Sequence, residues 1–352
     1  MTSTTPNSIW SRVIGQQRAI AQLSHAASDP VHAYLFVGPP GCTKEAASRA
    51  FAALILAGTD DPDERNARLA LLGEHPDVRE VERVGATISK DQVSDIVRSA
   101  SLAPIESTHK VLILHEFHLL DSTGAARLLK TLEEPPPSTV FIVLADQVPP
   151  DLITIASRCV RIEFAGLTAD SITAALEMEG IPPAAARQAA DAAGGNMSRA
   201  RVLSHDTGLM ARRAAFATVP SRLDGTGSTV ARLCTELLGL IDNAAAPLVD
   251  QQAQEIAALE ARVAAVGERG SGRKQLEDRH KREQRRHRVD EIRSGLAVIA
   301  GAYRDALVAG SLSRPNAAAT AVGRIHQSLE ALERNPNELL LLQALLLDLP
   351  TI

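Results

Sequence analysis

Aromatic residues make up only 3% of this sequence, with one Trp, two Tyr and six Phe. So few rings exclude an extended platform on which bases could stack. Cysteine is also scarce: Cys42, Cys159 and Cys234 lie far apart and are odd in number. That argues against a disulfide framework and predicts a reducing, cytoplasmic setting. No apolar run reaches membrane-spanning length, and MTSTTPNSIWSR lacks the charged-then-apolar start of a secretory signal. Global positive charge is missing too. The formal net charge is -5, so overall charge gives no reason to expect nucleic-acid binding. What is plentiful is apolar surface, 45% of 352 residues, enough for two or three cores. Strand patterns stop after Phe164, which predicts an α/β part followed by an all-α part.

The stretch from Lys110 to Pro137 organises the first part. Val111-Leu112-Ile113-Leu114 reads as a strand buried on both faces of a parallel sheet. Leu119, Leu120, Ala126, Leu129 and Leu132 then recur at helical spacing, until Glu133, Glu134 and three prolines stop the helix. TVFIVLA, Thr139 to Ala145, is the next buried strand. His115 and Glu116 stand at the strand end where a P-loop ATPase carries two acids. Imidazole is a poor magnesium ligand. His115, Glu116 and His118 also lack the spacing of a zinc site, so they read as polar residues at a strand–helix junction.

Upstream, Val13 to Ala27 has helical spacing, and His32 to Val37 is a short buried strand. It leads into Gly38-Pro39-Pro40-Gly41-Cys42-Thr43-Lys44-Glu45 and a helix running to about Ala57. Strand, glycine-containing loop and helix is the context of a phosphate-binding loop. Gly38, Gly41 and Lys44 fit it. Thr43 replaces the glycine before the lysine, and Glu45 replaces the hydroxyl that would hold the metal ion. A carboxylate there repels phosphate. The expected loop is vestigial, binding ATP weakly or not at all. Gly58 to Val84 reads as a polar insertion. Ser89 to Ala103 returns to helix, a short helix ends at Ala156, and VRIEF (Val160 to Phe164) is an edge-like strand.

Thr168 to about Ser204 is a small helical unit, with Thr168 and Ser171 capping one helix, Pro182-Pro183 opening the next and Ser198 beginning another. Asp224 to Ser228 is a loop and Gly267 to Gly272 a hinge-like segment. Helices with apolar stripes follow at Ile292 to Val308, Ala317 to Glu333 and Glu338 to Leu349.

Lined up over about residues 13 to 350, these pieces resemble the clamp loader family of bacterial DNA polymerase III, which are AAA+ proteins. The most specific residues are Leu128-Leu129-Lys130 with Leu132-Glu133-Glu134-Pro135-Pro136, and Ser157-Arg158-Cys159. His32 to Phe36 before Gly38 and the ending from Asn335 to Leu349 add to them. The resemblance implies three domains: an AAA+ parallel-sheet domain over 1–166, a helical lid over 167–208 and a helical collar over 209–352. It implies that Arg158 acts as an arginine finger on a neighbouring subunit's ATP. A guanidinium suits that task, being always charged and forked. The plainer reading of Arg158 is an ion pair with a nearby carboxylate.

The chain departs from active family members at Lys44-Glu45, at His115-Glu116, and at Asp146, where a sensor threonine belongs. Ser198 stands where a second sensor has arginine, with Arg199 one place late. Many members carry a four-cysteine zinc module where Gly58 to Gly73 lies, and none of those cysteines is present, so zinc is not transferred. These departures favour the delta-prime members over the gamma/tau motors. The implied role is a non-hydrolysing subunit of the DNA-directed DNA polymerase (nucleotidyltransferase) holoenzyme. It would join delta and gamma/tau to load the sliding clamp onto primed DNA. The alternatives are a gamma/tau-like ATPase motor and a basic helical nucleic-acid adaptor.

The adaptor reading rests on the basic segment 269–293. Nine Lys and Arg from Arg269 through Arg288 face four acids, Glu268, Glu277, Asp278 and Glu283. The run Arg273 to Arg293 could lie along DNA phosphates with a steep salt dependence. Glu277 with Lys281, and Glu283 with His287, offer ordinary within-helix pairing, so a solvated connecting helix is the expected state.

Overall fold

Three apolar runs become the middle of one parallel sheet. In the computed structural model, which describes residues 8–83, 87–120, 122–266, 272–310, 315–332, 334 and 336–351, contacts divide the chain into two units, Met1–Ala200 and Arg201–Ile352. The first begins with α1 (Gln17–Ala26), β1 (Ala33–Val37), α2 (Lys44–Ala57), α3 (Arg65–Leu72), β2 (Val78–Val81) and α4 (Lys90–Ala100). It continues with β3 (Lys110–Leu114), α5 (Ser122–Glu133), β4 (Thr139–Ala145), α6 (Ile153–Ala156) and β5 (Val160–Glu163).

The strands pair in parallel in the order β2-β3-β4-β1-β5. Every residue of β1, β3 and β4 is buried, because helices cover both faces. Side-chain alternation along the strands splits the cover. Tyr34, Phe36, Ile113 and Ile142 cluster with Leu23, Phe51 and Ala67, whereas Leu35, Leu112, Phe141 and Val143 cluster with Ile96, Leu128 and Ile155. Tyr34 stands opposite Val160 and Val37 opposite Glu163. From β1 the chain crosses to the far edge at β2. From β4 it passes to β5 on the other side of β1. The carboxyl ends of β1 and β4 therefore flank a topological switch point, where α/β sheets hold ligands.

The segment expected as a polar insertion is more ordered than its composition implies. It contains α3, capped by the Glu64 carboxylate on the Ala67 amide and ended by Gly73 at φ 72°, and the edge strand β2. Residues 84–86 lie outside the described residues. The first predicted helix starts later than its apolar spacing suggests, because Gly15 takes a left-handed φ of 67° just before it.

Three short helices follow, α7 (Ala169–Met178), α8 (Pro183–Ala193) and α9 (Met197–Ser204). Thr168 caps α7 through the Ser171 amide, as its position predicts. The start of α9 corrects the expectation at Ser198. Asn196 Oδ1 accepts the Arg199 amide at 2.9 Å, so Asn196 is the cap.

The second unit is helical: α10 (Leu209–Ala217), α11 (Val219–Arg222), α12 (Gly227–Asn243), α13 (Ala246–Val266), α14 (Arg273–Val308), α15 (Pro315–Leu332) and α16 (Glu338–Asp348). Phe216, Leu237, Leu296, Tyr303, Ile325 and Leu346 share its core. Gly295 lets the Phe216 ring lie against α14, for a Cβ there would sit 2.3 Å from the ring. Arg212 is buried between Glu291 at 2.7 Å and Asp206 at 2.6 Å. Of the predicted hinge, residues 267–271 lie outside the described residues, as do Asn335 and Glu333. No described helix is long and apolar enough to cross a membrane.

Candidate functional site

The loop after β1 is pinned closely at its two glycines. The Gly38 amide donates to the Ala145 carbonyl, and a Cβ on Gly38 would lie 2.4 Å from the Phe164 carbonyl oxygen. Gly41 has a φ of 71°. A Cβ there would meet Asn196 Oδ1 at 2.0 Å, and its carbonyl accepts the Met197 amide. Thr43 also takes a left-handed φ of 69°, a strained state for a β-branched residue that costs about 1–2 kcal/mol. Its hydroxyl is held by the amide and carbonyl of Ile14. Gln16, which no sequence signal singled out, donates to the carbonyls of Cys42 and Ala165 and accepts the Ala165 amide. Burial pushes the Cys42 thiol up to about 11, outweighing the pull of Lys44.

Lys44 does not face an open cradle. Its side chain is 3% exposed and its ammonium reaches Asp146 Oδ1 at 2.7 Å. The carbonyls of Gly38 and Pro39 accept at 3.0 and 3.3 Å, and Glu45 lies at 3.5 Å. Burial alone would lower the Lys44 pKa, but Glu45 and Asp146 raise it above its ordinary value. Asp146 also meets His118, whose Nε2 is 3.7 Å from the carboxylate and whose Nδ1 accepts the Asp146 amide.

The strand-end pair is likewise engaged. His115 Nε2 lies 2.9 Å from Glu80, which also takes two hydrogen bonds from Arg49. Burial favours the neutral Glu80 carboxyl, yet the hydrogen bonds from His115 and Arg49 outweigh it and hold its pKa down at about 2. Glu116, at a left-handed φ of 48°, accepts from Arg83 at 2.7 Å. His115 and His118 thus turn to different carboxylates. Among the described residues no three His, Cys, Asp or Glu side chains gather as a metal set. A magnesium nucleotide needs oxygen ligands and a free cationic lysine. Here the Lys44 cation is tied to Asp146, and imidazole replaces the strand-end acid, so the residues do not fit that group.

Arg158 lies elsewhere on the sheet. It precedes β5, whose first residue pairs with Tyr34, so it sits beyond the amino ends of the strands. The loop with Gly38, Gly41 and Lys44 follows the carboxyl end of β1. At about 3.3 Å per residue the two are separated by at least about 10 Å along the strands. The Arg158 guanidinium holds Glu133 Oε1 through Nε at 2.7 Å and Nη2 at 2.6 Å. Its Nη1 donates to the Thr154 carbonyl at 2.9 Å and to Ser157 Oγ at 3.3 Å. The ion pair of the plainer reading is therefore present. Lys130 and Glu134 are exposed, and Cys159 is half-buried with a thiol raised to about 11 by burial.

The basic run is the first half of one helix, α14, packed on α13. Arg279 and His280 meet Glu255 of α13, Arg273 meets Glu260 and Glu277, and Arg288 meets Asp242 and Glu338. Glu277 feels the charge of Lys281, as its spacing predicts, and closer partners join the expected pairs. Glu277 takes Arg273, Lys281 takes Asp278, Glu283 takes Arg279, and His287 turns inward to the Ala244 carbonyl. Packing on α13 decides which faces meet, and spacing alone does not reveal it. Lys274 and Arg285 are exposed with no ion-pair partner among the described residues.

Residues 15–168 match the family described as DNA polymerase III, delta subunit. The chain is 34% identical over 167 residues to DNA polymerase III subunit tau of Bacillus subtilis, covering 46% of this chain and 30% of that one. It is 33% identical over 160 residues to the delta' subunit of the same bacterium, covering 44% and 49%. The chain thus spans about half or less of the length of these curated relatives. A DNA polymerase III gamma subunit-related protein of Thermotoga maritima superposes with a TM-score of 0.45 at 13% identity, over 93% of this chain and 97% of that one.

Proposed function

We propose, from the premise that residues 15–168 belong to the DNA polymerase III clamp loader subunit family, that this chain is a delta-prime subunit that hydrolyses no ATP itself. It joins delta and gamma/tau in the cytoplasm, helps load the sliding clamp onto primed DNA, and offers Arg158 to the ATP of the subunit alongside. It comprises a sheet domain, a lid and a collar, over 1–166, 167–208 and 209–352. It carries no zinc and binds ATP weakly or not at all.

The observation that carries this reading is the position of Arg158 at the amino edge of the sheet, away from its own phosphate loop. An arginine placed there lies away from its own chain's Lys44, which supports a role toward a neighbour's nucleotide. The engagement of Lys44 with Asp146, and of His115 with Glu80, supports a loop that no longer works on ATP.

The test is the reconstituted loader with Arg158→Ala. DNA-stimulated ATPase should fall about tenfold or more while the complex still assembles. Unchanged ATPase defeats the assignment. The similarity to subunit tau favours a second reading, an active motor. Titration of the isolated chain with a fluorescent ATP analogue and magnesium separates the two, since micromolar binding with turnover belongs to the motor.

A further inference from the structure

Arg158 is not a loose side chain, although it lies on the surface. Glu133, the last residue of α5, holds it along one side: a single carboxylate oxygen accepts from both Nε and Nη2. The third nitrogen, Nη1, is anchored to the Thr154 carbonyl in α6. A guanidinium carries five N–H donors. Glu133 takes two and Thr154 one. That leaves one N–H on Nη2, and one on Nη1 whose other partner among the described residues is the rotatable Ser157 hydroxyl. Those remaining donors sit on the two terminal nitrogens, the pair that forks onto an oxyanion.

We infer that Glu133 is the positioning residue for Arg158. It grips the side edge of the guanidinium, so that the terminal edge is presented, already oriented, to the γ-phosphate of an adjoining subunit. This rests on the proposed role of Arg158 and adds the group that aims it. The physical need is plain. An unrestrained arginine samples many rotamers, and each must be frozen when the transition state forms. A carboxylate that fixes Nε and Nη2 removes that search without occupying the terminal edge. Glu133 stands at the carboxyl end of α5, immediately before Pro135-Pro136-Pro137, where the chain cannot continue the helix. Its backbone is therefore set by the same proline run that ends the helix.

The test measures steady-state ATPase of the assembled loader on primed DNA with five versions of this chain: wild type, Glu133→Gln, Glu133→Ala, Arg158→Ala and Glu133→Ala with Arg158→Ala. Glu133→Ala should lower kcat about three- to tenfold with KM for ATP unchanged, because aim is lost and nucleotide binding is not. Glu133→Gln, which keeps an acceptor oxygen, should fall between it and wild type. The double variant should equal Arg158→Ala alone, since an aiming residue has nothing left to aim. Three results overturn the inference: wild-type kcat in Glu133→Ala, a rise in KM instead of a fall in kcat, or losses that multiply in the double variant. If Arg158→Ala itself leaves ATPase intact, the finger assignment fails, which is a separate result.

Discussion

The ammonium of Lys44 lies 2.7 Å from the Asp146 carboxylate, joining the start of α2 to the end of β4 across 102 positions of sequence. Removing the carboxylate leaves a buried cation with only the more distant, exposed Glu45 carboxylate. Asp146→Ala should cost about 2–4 kcal/mol in urea unfolding, whereas Lys44→Met, which removes the charge and keeps the volume, should cost under about 1.5 kcal/mol. Equal losses would mean the pair is not what holds the lysine.

Acid stability should depend on Glu80. Its carboxyl sits at about 2 in the folded chain against an ordinary 4.5. The stabilisation is therefore complete above about pH 4.5 and disappears as the pH falls through about 2. It amounts to on the order of 3 kcal/mol as an upper bound. Urea midpoints of wild type and Glu80→Gln, compared between pH 6 and pH 2, should converge as the solution is acidified. A constant gap contradicts this.

In the helical unit, Gly295→Ala should be severe. The new methyl would lie 2.3 Å from the Phe216 ring in a filled core, an overpacking worth about 1–3 kcal/mol. Phe216→Leu added to the same chain should restore part of the loss, a rescue read directly by thermal melting.

The basic half of α14 should contribute little to DNA binding. Lys274 and Arg285 are its exposed cations with no ion-pair partner among the described residues, while Arg273, Arg279 and Arg288 are paired within the chain. In the loader proposed above, Lys274→Gln with Arg285→Gln should leave the salt slope of DNA affinity within about one unit of wild type. A larger drop would revive the nucleic-acid reading. Arg288→Gln should instead weaken folding, because it releases Asp242 and Glu338 together.

How much was legible in the sequence depends on how each residue signals. VLIL at 111–114 and TVFIVLA at 139–145 announce themselves because both faces of those strands are covered. Val78 to Val81 does not. As an edge strand it exposes Arg79, and its charges read as insertion. The altered loop was visible in Thr43, Glu45, His115 and Asp146 one by one. That Asp146 would be the partner of Lys44 was not, because a contact between distant positions leaves no local pattern. Gln16 is silent for the same reason, a single amide whose worth lies in the three backbone groups it joins. Helix spacing found α14 but divided it in two, since its charged half and its apolar half differ in composition while the backbone runs on for 36 residues.

The strained Thr43 and the Gly41 carbonyl gripped by Met197 have a practical bearing on genetics. Lesions in this loop would injure folding at the point where α1, β4, β5 and α9 converge. Such lesions would invite description as nucleotide mutants, when what they had broken was a keystone.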